Sequence, residues 1–103
     1  MIKIIGLARR ARKITSGTEI TINGVRSGKV KLVILANDAS LNTKKLVNDK
    51  CKTYGVTVVE EFNTIELSDA IGKENIKVIG IIDDGFSKSI LNQKRKWIIW
   101  PKK

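Results

Sequence analysis

Apolar positions along this chain change their period several times, and each change predicts an element. Val30 to Ala36, inside GKVKLVILANDASLN, is an almost unbroken apolar run of strand length, as expected of a strand covered on both faces. It breaks into Asn37, Asp38, Ala39 and Ser40, mostly short polar groups that end a strand, bend the chain and cap the following helix. Upstream, Ile4, Leu7, Ala8 and Ala11 fall at i, i+3, i+4 and i+7, a helical stripe that leaves Arg9, Arg10 and Arg12 outside it. Ile14 and Thr15 suit a very short strand before Ser16 and Gly17. Downstream, a helix capped by Ser40 or Asn42 is predicted through Tyr54, with Leu46, Val47, Cys51 and Tyr54 at helical spacing and Gly55 closing it. Val56 to Glu60 reads as the next strand. Asn63 and Glu66 form a capping-box pattern for a helix that Gly72 ends. Ile76 to Ile82 reads as another buried strand, and Asp83, Asp84 and Gly85 lead into a helix from Phe86 to about Asn92.

Thr18 to Ser27, TEITINGVRS, carries conflicting signals. Ile20 and Ile22 alternate with polar residues and Asn23-Gly24 is a two-residue hairpin turn, so pattern favours a hairpin. Spacing opposes it, because Arg26, Ser27, Gly28 and Lys29 interrupt the second strand before the apolar run begins. A short helix from about Thr18, ended by Gly28 in a left-handed conformation, restores the alternation of elements. The order after the first helix is then β-α-β-α-β-α-β-α, which predicts an α/β fold: a three-layer α-β-α sandwich on a small, largely parallel or mixed four-stranded sheet. In such sheets ligands sit at the carboxyl ends of strands, so the working face is expected beside Asn37 to Ser40 and the Gly17 loop.

The length, 103 residues, suits one domain. The expected division is residues 1–93 as a single α/β domain and residues 94–103, KRKWIIWPKK, as a basic tail. Two readings stand for that tail. An edge strand or docked segment keeps two tryptophans and two isoleucines out of water, whereas a basic arm would stack Trp97 and Trp100 on bases. The first is preferred.

The net charge is +10, from 20 Lys and Arg against 10 Asp and Glu, so the protein's field favours a polyanion: nucleic acid first, an anionic membrane surface second. Cys51 is the single cysteine and histidine is absent, which excludes an internal disulfide framework, a zinc site and a Cys/His nucleophile pair. No apolar segment approaches the roughly 20 residues that span a bilayer, and the amino-terminal charge follows rather than precedes a short apolar part, so a cytoplasmic protein is expected. Asp83 and Asp84 are paired acids at a strand end, a type that can hold magnesium. They read more simply as a turn and helix cap, since no nucleophile, general base or third ligand accompanies them. No Gly-rich phosphate loop follows a strand. No enzyme activity, metal, cofactor or small-molecule substrate is therefore expected. The cations are more informative. Arg9, Arg10, Arg12 and Lys13 precede the Gly17 loop, and Lys44 and Lys45 lie in a first helical turn, where they oppose the helix dipole. That placement suits anion binding, against the plainer alternative of a solvated charged surface.

The stretches SGTEITINGVRSGKVKLVILANDAS and GVTVVEEFNTIELSDAIGK resemble the kink-turn RNA-binding ribosomal protein family of archaea and eukaryotes. GLARRARK, SGKVKLVILANDASLNTKK and L-x-x-AIGK together are similar to its bacterial YlxQ/YbxF-like branch. The similarity runs from about Ile4 to Leu91. It implies an α-β-α sandwich that recognises a kink-turn, a sharply bent duplex with sheared G·A pairs and an extruded nucleotide. It also implies that Thr18 to Ser27 is the helix entering the RNA groove. Of the family's Gly-x-Asn-Glu-x-x-Lys motif, Gly17 matches, while Glu19, Ile20 and Asn23 stand where Asn, Glu and Lys are usual. A carboxylate cannot donate to guanine O6 and N7, and Ile20 offers no polar group, so reading of G·A pairs is expected to be altered. Ser40 and Lys44 match positions lining the extruded-base pocket. Glu61, Phe62 and Asn63 match the loop facing it, with Ser68 in place of the usual Gly.

The resemblance thus implies a non-enzymatic RNA-binding protein whose partner is structured RNA, kink-turn or ribosomal, with the ribosome a further partner and no membrane involved. The expected RNA-binding residues are Arg9, Arg12, Lys13, Gly17, Thr18, Glu19, Ile20, Asn23, Lys29, Asn37, Asp38, Ser40, Lys44, Lys45, Glu61, Phe62 and Asn63. The alternative is a protein-interaction module of the translation machinery with a weakened RNA surface.

Overall fold

The computed structural model describes the backbone of residues 2–97 and the side chains of residues 2–93. The elements follow the predicted alternation: α1 (Ile2–Arg10), β1 (Ile14–Ser16), α2 (Thr18–Arg26), β2 (Leu32–Leu35), α3 (Leu41–Tyr54), β3 (Thr57–Val59), α4 (Thr64–Ile71), β4 (Val78–Ile81) and α5 (Asp84–Trp97). Thr18 to Arg26 is a helix, so the Asn23-Gly24 hairpin signal is overridden, and Gly28 at φ 79° follows its end. The sheet has the order β1-β4-β2-β3.

That sheet is mixed rather than largely parallel. β2 and β3 pair in parallel, with Val33 opposite Val58, but β4 runs antiparallel to both β2 and β1. The path of the chain around each helix shows the difference. The 14 residues of α3 rise about 21 Å and return the chain to the far end of the sheet, so β3 starts parallel to β2. The 8 residues of α4 rise only about 12 Å, and residues 72–77 re-enter the sheet at the end from which α4 left. β4 therefore runs against its neighbours, and β1, β2 and β3 all point to one rim.

Burial is densest along β2 and β4, whose residues Leu32, Val33, Ile34, Leu35, Val78, Ile79 and Ile81 are fully buried. Ile5, Val25, Val47, Leu67, Ile71 and Ile90 close over them from the helices. Two apolar stripes sit differently from their sequence spacing. In α1 the buried positions are Ile5 and Ala8, while Leu7 is 52% exposed and Ala11 lies beyond the helix, exposed. In α3 Val47 and Cys51 face the core, and Leu46 and Tyr54 are largely exposed. Burial pushes the Cys51 thiol up to about 11, so it is an inert filler at neutral pH.

Gly80 lets α2 lie close on the sheet. A Cβ there would stand 2.5 Å from Thr15 Oγ1 and 3.0 Å from Thr21 Cγ2, the two threonines whose hydroxyls meet at 2.9 Å. α5 continues to Trp97, past the expected end at Asn92, so Lys94 to Trp97 is helix and not edge strand. The rest of the expected tail, residues 98–103, lies outside the described residues.

Candidate nucleic-acid interface

Strand direction brings together three loops distant in sequence. Ser16 pairs with Ile79 and Leu35 with Val78, so the ends of β1 and β2 meet the start of β4. The parallel β3 ends at the same rim. Backbone bonds knit the loops themselves: the Gly17 N–H donates to Val78 O at 2.9 Å, Ala36 to Lys77 O at 2.8 Å, and Asn37 to Phe62 O at 2.8 Å. Gly17, at φ 98° and ψ 150°, occupies a conformation that side chains disfavour, and it turns the chain directly from β1 into α2. It supplies no capping side chain, so the first turn of α2 starts without a side-chain cap.

The next two helices start with their amides bonded. Ser40 Oγ accepts from Thr43 N at 3.2 Å. Asn63 Oδ1 accepts from Glu66 N at 2.9 Å and Glu66 Oε1 from Asn63 N at 3.0 Å, the capping box expected there. Asp38 caps across the rim rather than within its own helix: its Oδ1 accepts from Thr64 N at 2.9 Å and Thr64 Oγ1 at 2.7 Å. Ser68, where the resemblance leads one to expect glycine, is buried. Its hydroxyl donates to Thr64 O at 2.6 Å and accepts from Ile76 N at 2.9 Å, tying α4 to the approach of β4.

Most expected site residues come to this rim. Gly17, Thr18, Glu19, Ile20 and Asn23 run along α2 from it; Asn37, Asp38, Ser40, Lys44 and Lys45 follow β2; Glu61, Phe62 and Asn63 follow β3. Thr18, Glu19 and Asn23 line an open groove of about 450 Å³ between α2 and α3, together with Ile22, Arg26 and Leu46. The guanidinium of Arg9 lies over Gly72, 3.7 Å from where a Cβ would stand, and the adjacent Lys73 donates its Nζ to Ser16 Oγ at 3.1 Å. Arg12, Lys13 and Lys29 do not join them. Lys13 O accepts from Ile82 N, and Lys31 N donates to Ile81 O, so Arg12, Lys13 and Lys29 stand at strand beginnings, on the opposite rim. Although expected among the RNA-binding residues, these three stand away from the working face beside the Gly17 loop.

Sequence reasoning missed Arg26, Lys73, Lys77 and Thr64. Lys73 and Lys77 precede β4, and a parallel β4 would have carried them to the far rim. No sequence signal ties Thr64 to Asp38, 26 residues away.

Charges at this rim are interleaved. Arg9, Lys44, Lys45, Lys73 and Lys77 alternate with Glu19, Asp38, Glu60, Glu61, Glu66 and Glu74. Lys44 Nζ is 3.3 Å from Glu60 Oε2, with side chains 27% and 37% exposed. Ile20, Leu41 and Ile65 stand out into solvent among them. Among the described residues no group of three His, Cys, Asp or Glu could hold a metal, and no helix is long and apolar enough to cross a membrane. Asp83 caps α5, its Oδ2 accepting from Phe86 N at 2.9 Å.

The Thr64 hydroxyl bond holds the Asp38 carboxyl below the usual carboxylate range against an opposing desolvation, with smaller help from the backbone amides of Thr64 and Asp38 and from the Lys77 charge. A carboxylate depressed in the folded state stabilises at pH above its unfolded value, about 3.9, and that contribution disappears as pH falls through the folded value. The tie between the two loops is expected to open only under those acid conditions. In an NMR titration the Thr64 amide should shift with a midpoint below about 3.9, and Asp38→Ala should remove the transition and speed Thr64 amide exchange at every pH. A midpoint at or above the ordinary carboxylate value would refute the tie.

Among known proteins, the model of the ribosomal protein L7Ae/L30e/S12e/Gadd45 family matches residues 2–91. The chain is 51% identical to an RNA-binding protein YlxQ of Enterococcus faecium over 85 residues, 82% of each chain. It is 40% identical to an RNA-binding protein YlxQ of Bacillus subtilis (strain 168) over 89 residues, 86% of this chain and 89% of the relative. Among solved structures, a protein with unknown function from Bacillus halodurans C superposes with a TM-score of 0.85 at 42% identity, over 88% of this chain and 92% of that one. A Giardia lamblia 15.5kD RNA binding protein superposes with a TM-score of 0.80 over 95% of this chain and 86% of that one; at 20% identity this shows a common fold.

Proposed function

This chain belongs to the ribosomal protein L7Ae/L30e/S12e/Gadd45 family, and from that premise we propose that it is a non-enzymatic RNA-binding protein that docks structured RNA of the kink-turn type, ribosomal or regulatory. The observation that carries the reading is the convergence of the Gly17, Asn37–Lys44 and Glu61–Ile65 loops on one rim. In this reading the uncapped first turn of α2 offers N–H donors to a phosphate, and Glu19 and Asn23 meet base edges along the groove. Arg26 supplies that groove with a cation beyond Asn23, where the charge of the family's usual lysine is missing. Lys44 and Lys45 hold backbone phosphates at the start of α3, the purpose that their unfavourable place on the helix dipole serves.

Binding to a kink-turn stem-loop and to a plain duplex, measured by fluorescence anisotropy across a salt series, tests the reading. The kink-turn is expected to bind at least tenfold more tightly, with both affinities falling as salt rises. Equal affinity would leave an electrostatic binder without kink-turn recognition. A second reading, a protein-interaction module of the translation machinery, is favoured by the exposed Ile20, Leu41 and Ile65, respectively 62%, 83% and 70% accessible, between nearly balanced charges. Partners retained from lysate after nuclease treatment would support it.

A further inference from the structure

The net charge of +10 is not concentrated on the rim just described, where carboxylates stand between the cations. A separate group of cations stands at the other end of the sheet. Lys13 and Lys31 flank Ile82 on the two neighbours of β4: Lys13 O accepts from Ile82 N at 2.9 Å, and Lys31 N donates to Ile81 O at 2.7 Å. Arg12 precedes Lys13, in a left-handed conformation at φ 59°. Lys29 follows the end of α2, where Arg26 stands. Each of these side chains is exposed, and among the described residues none forms an ion pair with a carboxylate. Asp83 and Asp84 follow β4 at this end. Asp83 is engaged by Phe86 N, and Asp84 stands in the first turn of α5, where the helix dipole favours it.

A row of like charges without counter-ions is unfavourable by itself, and a row of phosphates relieves it. RNA, the partner in the reading above, offers such a row along its backbone. A lipid surface fits less well, because the most exposed large apolar residues among the described residues, Leu41, Ile65 and Ile20, lie at the opposite rim. The two rims are also independent. Lys31 and Ala36 are five residues apart along an extended strand, roughly 17 Å at about 3.3 Å per residue, twice the roughly 8 Å over which physiological salt screens a charge.

We propose that Arg12, Lys13, Lys29 and Lys31 form a second RNA-binding surface, indifferent to sequence, that holds the backbone of an RNA segment other than the one docked at the Gly17 rim. The protein then bridges two segments of one folded RNA. This rests on the RNA-binding reading above.

The experiment compares two probes on the full chain: a kink-turn stem-loop alone, and that stem-loop joined by a single-stranded linker to a second, plain hairpin. The variant carries Lys13→Gln, Lys29→Gln and Lys31→Gln; a companion carries Arg at the same three positions and keeps the charge. On the two-hairpin RNA the Gln variant is expected to lose about tenfold or more in affinity, and its slope of log affinity against log salt should flatten by about 2. On the single stem-loop it should stay within about threefold of wild type, and the Arg companion should match wild type on both. Equal losses on the two probes, or no loss on either, would overturn the proposal and leave the kink-turn reading standing. So would loss of sedimentation with phosphatidylserine vesicles while both RNA affinities hold, which would make the surface a membrane contact. Failure of the wild-type chain to bind either RNA would remove both the reading and the proposal.

Discussion

Lys44→Glu together with Lys45→Glu is expected to weaken kink-turn RNA binding on the order of a hundredfold at low salt, and by less as salt rises. Both residues lie in the first turn of α3, at the rim where β2 and β3 end. Lys45 is exposed and Lys44 half-buried against Glu60. In the free protein the change places a carboxylate beside Glu60, so an exposed ion pair worth at most about 1 kcal/mol is lost. Acidic residues in a first helical turn complement the dipole and offset part of that loss. In the complex, two phosphate partners are replaced by two repulsions. Fold and function therefore separate: thermal melting should move by only a few degrees while affinity collapses. Anisotropy titrations at several salt concentrations, beside a melting curve, check both. Affinity within about threefold of wild type would mean that RNA docks elsewhere on the protein.

Ile34→Ala is expected to do the reverse. Ile34 is fully buried in β2, paired with Val59 on one side and Ile79 on the other. Truncation removes buried methyl groups and leaves a cavity that the neighbouring strands cannot collapse into, at a cost of about 2–5 kcal/mol. Against a total stability of about 5–15 kcal/mol this is a large fraction. Urea unfolding should show a lower midpoint with unchanged slope. RNA affinity, measured where both proteins are folded, should stay within a few-fold. A loss below about 1 kcal/mol would show that β2 is not the centre of the packing.

The fold was legible where one local signal had no competitor. Val30 to Ala36, the Asn63–Glu66 box and Gly55 specify their elements with their immediate neighbours alone, and the structure holds a strand, a helix start and a helix end there. Thr18 to Ser27 was legible mostly through family resemblance, with element spacing in support, because Asn23-Gly24 is a good turn in isolation and the helix is decided by packing. Thr21, Ile22 and Val25 are buried against the sheet, an outcome fixed by Gly80, more than 50 residues away. The sense of β4 was not legible, since alternation of helix and strand is the same whether a connection crosses the sheet or returns at one end. That omission kept Lys73 and Lys77 from being recognised as neighbours of the Gly17 loop, whereas Lys13 and Lys29 are set apart from it by the length of β1 and β2 themselves. Leu7, Leu46 and Tyr54 misled in another way: helical spacing marks a face, but how wide a face is buried depends on what packs there.

The strand order β1-β4-β2-β3 has a consequence for biosynthesis. Ile14 finds its partner only at Ile81, and the Gly17 amide its acceptor only at Val78, so the amino-terminal end has no sheet to join until nearly the whole domain has been made. Such long-range closure is slow compared with helix formation. While the polypeptide is still growing from the ribosome, its earliest-made residues must wait for some of its last. A nascent chain that stops short of β4 would leave the Gly17 turn unanchored, and competence to bind would be gained in one late step rather than by degrees.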